Sequence, residues 1–587
     1  MSTLDINEVK RLAKGYALYN AVKHGGKAAL GPVMGKIMAE KPEWRPYAKE
    51  IVPIVKKIID EVNSLPLSEQ KRLLESEYKW IIESREKREE TRKTLPPLPN
   101  AEEGKVVTRF APNPDFVIHL GNARPAILSY EYARMYKGRM ILRFEDTDPR
   151  IKAPIPEAYE LIREDLRWLG IHWDEEYIQS LRMKIYYDIA RELISKGGAY
   201  VDTLPTKEFK KYRDEGALEK YPPRLRDANE NLELWDKMLE GYFSEGEAVL
   251  RVKTDPNHPD PSIRDWVAFR IIDTEKYPHP ITGSKYIVWP TYNFAAGVDD
   301  HLMGVTHILR AREHMQNTIK QQYMYRHLGW KYPTVIHFGR LNLEGLIMSK
   351  SSMKSILEEE KTVRLDDPRF ATIAGLRRRG IHPEAIRRII IDVGLKQTDA
   401  TISFKNLAAY NRSIVDAVTP RIMFVNDPVP LIVKEIPWNR RTFQIPLHPN
   451  GKLGYRNIDI SGPSETFYIA RSDAVKIKQG DFIRLMELFN IVIESLEKDR
   501  VIARYHSLDV EEVRSRGGTI IHWVKADNCL TAEIVKPMGL EIHVEKGLIE
   551  DYATKLREGD LVQLVRYGFA RVDLKQDKKI KLIYAHE

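Results

Sequence analysis

A single cysteine, Cys529, stands in 587 residues. That excludes an intramolecular disulfide and a Cys-rich zinc site, so no structural zinc is expected and a reducing compartment fits. No apolar run reaches the roughly 18 residues that a spanning helix needs. The opening "MSTLDINEVKRLAKGY" lacks the apolar core of a signal peptide, so the expectation is a soluble, cytoplasmic protein with no membrane partner. Low-complexity tracts and repeats of fixed period are also missing, which excludes solenoids and long disordered linkers.

What is present is length and charge. A chain of 587 residues exceeds a single hydrophobic core and predicts several domains. Lys and Arg number 93 against 84 Asp and Glu, a formal net charge of +9. This mild basic tilt suits a polyanionic partner, and equally a nucleotide-handling enzyme.

The texture changes along the chain. Residues 1–93 carry helix-period apolar positions, as in "IVPIVKKIIDEV", and predict a small helical domain. The charge run "SREKREETRK" then meets "TLPPLPN", whose prolines forbid a continuing helix, so a linker is placed at 94–103. From 104 to 202 strands and helices alternate, the pattern of a parallel α/β sheet. A charged, proline-rich block at 203–288 reads as an insertion, the α/β pattern resumes at 289–345, and 346–428 is mainly helical. From 429 to 587 the apolar period falls to two, as in "ETFYIA" and "LVQLVRYGFARVDL", predicting one or two antiparallel β-barrels.

Four stretches could carry chemistry. In "RFAPNPDFVIHLGNAR" a strand runs into His119, Leu120, Gly121 and a helix. This puts an imidazole, a backbone without Cβ and free helix N–H groups at one place, which are the parts of a phosphate site; an ordinary strand-end histidine is the plainer reading. "LIMSKSSMK" offers Lys350 among hydroxyls, able to neutralise a leaving pyrophosphate or simply to be a solvated loop. "LRFEDTDPR" gathers Glu145, Asp146 and Asp148 after a strand, either for an ammonium group or a metal, or as a helix-capping turn. In "PTYNFAAGVDDHLMGVTHILR" an apolar run ends in Arg310, which either awaits an anion or pairs with Asp299 or Asp300.

No stretch decides alone, but their order does. "HLGN" at 119–122 and "IMSKS" at 347–351 resemble the His-Ile-Gly-His and Lys-Met-Ser-Lys-Ser signatures of class I aminoacyl-tRNA synthetases. "TRFAPNP", "LRFEDTDP", "WLGIHWDE" and "DDPRFATIAGLRRRG" narrow the resemblance to the glutamyl-tRNA synthetases. The β-rich tail, with "HPNGKLGYRNIDISG" and "GGTIIHWV", is similar to that of the archaeal type. Three positions depart from the pattern: Asn122 replaces a histidine, Phe116 a glycine and Ile347 a lysine.

The resemblance implies an α/β class I Rossmann-type catalytic domain with an α+β insertion that binds the acceptor stem. A helical stem-contact region and anticodon-binding antiparallel β-barrels would follow. It implies ligation of L-glutamate to the 3′ end of tRNA-Glu, and of tRNA-Gln as a further substrate, through a glutamyl-adenylate, with ATP and Mg2+. His119 and Lys350 would be catalytic; His119, Gly121, Asn122, Ser349 and Lys350 would hold ATP. Arg109, Asn113, Glu145, Tyr292 and Arg310 would hold glutamate. Tyr455, Arg456, Arg566 and Tyr567 are candidates for the anticodon. A monomer is expected, with residues 1–93 either a scaffold or a docking module for tRNA or another protein. The alternatives are glutaminyl-tRNA synthetase, which lacks a basic residue at the place of Arg310, and a non-catalytic tRNA-binding or assembly protein.

Overall fold

The computed structural model describes residues 5–81 and 95–587. The charge run before the linker, and Thr94 at its start, lie outside them. The chain divides into two compact units, Met1–Leu95 and Pro96–Glu587.

The first unit is helical among its described residues, with α-helices Ile6–Lys23, Leu30–Glu40, Ala48–Asn63 and Leu67–Ser76. Asp5 caps the first helix, its carboxylate accepting the N–H groups of Asn7 and Glu8 at 2.9 and 3.2 Å. Ile51, Val55, Ile58, Ile59 and Val62 recur at helical spacing and are all buried against Val9, Leu12 and Ala13.

In the second unit, strands Val107–Phe110, Arg139–Phe144 and Glu175–Ile178 form a parallel sheet in that order. A second parallel pair joins His307–Ala311 to Thr334–Phe338. The two are tied where Thr306 exchanges hydrogen bonds with Val107, the Thr306 N–H donating to the Val107 carbonyl at 3.0 Å and the Val107 N–H to Thr306 Oγ1 at 2.8 Å. Five of the six residues of "RMILRF" are buried, the continuous burial expected of a strand covered on both faces. Arg109 and Arg310 sit near the C-terminal ends of their strands, where open parallel sheets bind ligands.

The insertion starts earlier than the sequence pattern places it. Ala199–Asp202, assigned above to the first α/β half, is the edge strand of an antiparallel sheet completed by Val249–Val252, Val267–Ile271 and Val288–Pro290. Its alternation resembles the strands before it, and only pairing separates them. Trp235, Phe269 and Trp289 anchor the core of this region.

The tail holds two seven-stranded sheets, and they are interleaved in sequence: Arg421–Ile422 and Phe424–Asn426 edge the sheet otherwise built from residues 529–586. Most pairings are antiparallel, but Leu431 pairs Val501, Ile483 pairs Thr519 and Thr531 pairs Lys579 in parallel. The antiparallel barrels expected of this region thus include a few parallel pairings. A period of two records which face is buried and says nothing of strand direction.

Candidate active site

A cavity of about 1090 Å³ opens at the C-terminal ends of the parallel strands. The structure brings Arg109, Asn113, His119, Gly121, Asn122, Glu145, Tyr292, Arg310 and Ser349 to its walls. Lys350 is not among them.

His119 is the N-cap of helix Leu120–Met135, and its Nδ1 accepts the Gly121 N–H at 3.0 Å. An accepting Nδ1 carries no proton, so the neutral ring presents an Nε2–H donor; the tautomer follows from the hydrogen bond. Burial, reinforced by the nearby Lys350 ammonium, pushes the imidazole down to about 4, so His119 is neutral near pH 7. A Cβ on Gly121 would lie 2.8 Å from His119 Cε1 and 3.4 Å from Met348 Cε. Glycine is therefore required for the ring to fold back, and the two signature segments meet here. Asn122 Oδ1 accepts the His119 N–H at a long 3.4 Å.

Residues 369–373 stitch the signatures together. The Leu120 N–H donates to the Ala371 carbonyl and the Ile373 N–H to that of Ile118, both at 2.9 Å; Ile347 exchanges bonds with Arg369 and Ala371 at 2.9 and 2.8 Å. Two of the three departures share one cluster here, Phe116 and Ile347 packing with Val117, Met353 and Phe370. The apolar Ile347 has a partner where a lysine would have none.

Lys350 opens helix Lys350–Glu359 behind the N-cap Ser349. Its ammonium pairs with Asp115 and stands 5.8 Å from the centre of the Phe116 ring. The sequence reading, which aims Lys350 at phosphates, missed Asp115 as its resting partner.

The floor is a charge network. Asp300 accepts from Arg109 Nε at 3.1 Å and Arg143 Nη1 at 2.8 Å, while Arg143 Nη2 donates to Glu145 at 3.0 Å. Burial raises the Glu145 carboxyl above the usual range, with Arg143 and Arg109 opposing the shift. For Asp300 burial pulls the same way, but the two arginines prevail and hold it low. Of the other carboxylates in "EDTDPR", Asp146 is committed to structure, accepting from Tyr159 Oη, Ser180 N and Ser180 Oγ. Asp148 pairs with Arg270 at 2.7 Å. Only Glu145 is left for an ammonium. Asn113 Oδ1 is occupied by the Asp115 N–H at 3.0 Å, which turns its Nδ2 into its available group.

Arg310 does not pair with Asp299 or Asp300. Asp299 is taken by Arg182, Gln179 and Tyr186, and Asp300 by the network above. Among the described residues, Arg310, 5% exposed, is held by neutral acceptors alone: Gln321 Oε1 at 3.3 Å from both terminal nitrogens, Thr318 Oγ1, the Tyr332 hydroxyl at 3.1 Å and the Tyr292 hydroxyl. Its Nε is buried without a hydrogen-bond partner. Burial works against the charge, but Tyr292, Tyr332 and Asp300 keep the guanidinium protonated. A buried cation without a counter-ion is costly, and a carboxylate would supply one.

Among the anticodon candidates, Tyr455 is 58% exposed. The other three also make structural contacts, although Arg566 is exposed as well. Arg456 is buried, its Nε 2.7 Å from Glu550. Arg566 makes a bidentate pair with Asp473 at 2.7 and 3.0 Å. Tyr567 packs edge-on against Phe424 and Tyr584. A basic or aromatic residue in a strand can as well be structural as displayed, and sequence does not separate the two.

Residues 105–417 match the family described as tRNA synthetases class I (E and Q), catalytic domain. Residues 419–509 and 520–573 match its two anti-codon binding domains. The chain is 64% identical to the glutamate–tRNA ligase of Hyperthermus butylicus, over 97% of this chain and the whole of that protein. It is 53% identical to that of Ignicoccus hospitalis, over 99% of this chain and 100% of the relative. Against that of Aeropyrum pernix the identity is 51%, over 99% of both.

Proposed function

The chain belongs to the family of class I tRNA synthetases for glutamate and glutamine, and from that premise we propose that it ligates L-glutamate to the 3′ end of tRNA through a glutamyl-adenylate. The observation that carries the choice of glutamate is Arg310. A buried guanidinium with only neutral acceptors suits a side-chain carboxylate and would leave an amide without its charge-assisted pair.

In this reading the substrate's side-chain carboxylate meets Arg310, its ammonium meets Glu145, and Arg109 and Asn113 orient its α-carboxylate. Tyr292, whose hydroxyl burial pushes up, stays neutral and donates. ATP, taken up as its magnesium complex, lies over Gly121. The His119 Nε2–H donates to its phosphates while Asn122, Ser349 and Lys350 complete the cradle. The α-carboxylate attacks the α-phosphorus in line and pyrophosphate leaves. The 2′-hydroxyl of the terminal adenosine then attacks the adenylate carbonyl, releasing AMP. No residue is asked to be a strong base. Positioning and charge stabilisation supply the rate, in keeping with a neutral His119.

The insertion serves the acceptor stem and the β-rich tail reads the anticodon loop, whose unstacked bases are open to recognition. The archaeal-type tail is read as tolerant of the third anticodon base, so that tRNA-Gln is loaded as well. The test is a charging assay with glutamate, glutamine and both transcripts. Glutamate should be loaded and glutamine refused. Tolerance corresponds to efficiencies on tRNA-Glu and tRNA-Gln within about tenfold, or about 1.4 kcal/mol. A thousandfold preference for tRNA-Glu would end the tolerance while leaving the glutamate assignment standing.

A further inference from the structure

Gln321 lies on helix Met315–Leu328, wholly buried, one layer behind the cavity wall. Its Oε1 receives three donors: both terminal nitrogens of Arg310 at 3.3 Å and the Tyr332 hydroxyl at 2.7 Å. Its Nε2 donates to the Asn293 carbonyl at 3.4 Å. That arrangement fixes the orientation of the amide, oxygen toward the guanidinium and nitrogen away. Thr318, the other side chain of the helix that touches Arg310, is in turn held by His337 Nε2 at 3.0 Å.

The chemical point is the missing charge. A buried guanidinium ordinarily finds a carboxylate, and a glutamate differs from Gln321 by one atom. The neutral amide accepts the same hydrogen bonds and cancels nothing. Arg109, Arg143 and Arg310 face Glu145 and Asp300 across the floor. Of these three guanidiniums Arg109 and Arg143 contact a carboxylate and Arg310 does not, so its charge is left for the side-chain carboxylate of glutamate. Glutamine, with no net charge, would leave it uncancelled.

We propose that Gln321 is a positioning residue that sets the preference for an acidic over a neutral substrate side chain: it aims Arg310 into the cavity and, being neutral, keeps that guanidinium uncompensated. The assignment rests on the proposed glutamate reading.

The test measures steady-state charging of tRNA-Glu with glutamate and with glutamine. Wild-type protein that loads no glutamate would overturn the reading itself; the inference is judged on variants of a protein that does. Gln321→Glu changes charge with almost no change of volume. It should raise KM for glutamate about 100-fold or more, the scale of losing a buried ion pair, with KM for ATP unmoved. The glutamate-over-glutamine ratio should fall by a similar factor. Gln321→Met keeps the volume and the free charge but loosens Arg310, so about a tenfold rise in KM for glutamate is expected. In an Arg310→Met background the same change should have less than about a twofold effect, because the residue it acts through is gone. This cycle decides the matter even if Gln321→Glu fails to fold. Equal losses from Gln321→Met in both backgrounds, equal damage from Met and Glu, or an unchanged glutamate KM in Gln321→Glu would each overturn the inference and make Gln321 a packing residue.

Discussion

The Lys350 ammonium is paired with the Asp115 carboxylate, joining the segment before the first signature to the second signature. Both side chains are partly exposed, at 34% and 16%, so the pair is weak enough to exchange for a phosphate. Lys350→Ala should slow adenylate formation by about 2.7–4 kcal/mol, the scale of losing one stabiliser of developing charge, with tRNA affinity unchanged. Asp115→Asn frees the lysine and should lower KM for ATP by up to about fivefold, equivalent to at most about 1 kcal/mol for such a pair. Pyrophosphate exchange with tRNA present separates the two. A large fall in kcat for Asp115→Asn would show that the carboxylate is needed in the reaction.

Arg310→Gln removes the guanidinium that has no counter-ion of its own. Glutamate should lose about 3–5 kcal/mol of kcat/KM, the cost of one broken buried pair, while KM for ATP stays within twofold or so. Thermal stability should hold or rise, since an uncompensated buried charge is taken away. An intact KM for glutamate would make Arg310 structural.

His119 has a pH signature. Its folded-state value of about 4 lies below the ordinary 6.5. The unfolded chain therefore binds more protons between those values, and stability rises with pH there. The contribution is complete above about pH 6.5 and is lost as pH falls toward 4, about 3 kcal/mol in all. Denaturant titrations of wild type and His119→Asn between pH 4 and 7.5 should converge at the acid end. Charging should show no titration near pH 6.5 traceable to His119. His314, also held down to about 4, mainly by burial and next by Arg310, adds in the same direction.

Ile347→Lys restores the residue that the signature usually carries, yet it should destabilise. Ile347 is 8% exposed and packs with Phe116 and Phe370, so an ammonium there must leave the cluster or be buried. A loss of about 1–3 kcal/mol is expected, without faster adenylate formation. In the double variant Phe116→Gly/Ile347→Lys the losses should be less than additive, since removing the ring opens room for the longer chain. Full additivity in denaturant unfolding would show that the two departures are independent.

What the sequence displays and what it hides differ in kind. The signature segments, the strand-helix alternation and Arg310 at a strand end are local patterns, legible in a few adjacent residues. Asp115 was invisible as a partner because 235 positions separate it from Lys350. The seam at 369–373 works through backbone atoms, which carry no residue-type signal. Gln321 did leave a trace: Thr318, Gln321 and Tyr325 share one face of a helix at spacings of three and four, and polar residues on a buried face ask for a partner. Strand direction in the tail and the start of the insertion depended on pairing, which alternation does not encode.

Tyr455 and Arg456 are neighbours on strand Tyr455–Ser461 and point to opposite faces, as successive strand residues must. One is 58% exposed and the other 5%. Their variants should therefore fail differently. Arg456→Ala leaves Glu550 buried and unpaired beside the Met423 N–H it accepts at 2.8 Å, and should cost about 3–5 kcal/mol of stability. Its effect on tRNA should vanish at temperatures where the variant is folded. Tyr455→Ala should leave unfolding unchanged and weaken tRNA by about 1–3 kcal/mol, the value of one base stacked on an aromatic ring. Filter binding of tRNA-Glu at fixed salt, beside thermal unfolding of both variants, distinguishes these outcomes. Unchanged tRNA affinity in Tyr455→Ala would remove Tyr455 from the anticodon surface and, with Arg456 committed to Glu550, leave neither residue as a reader.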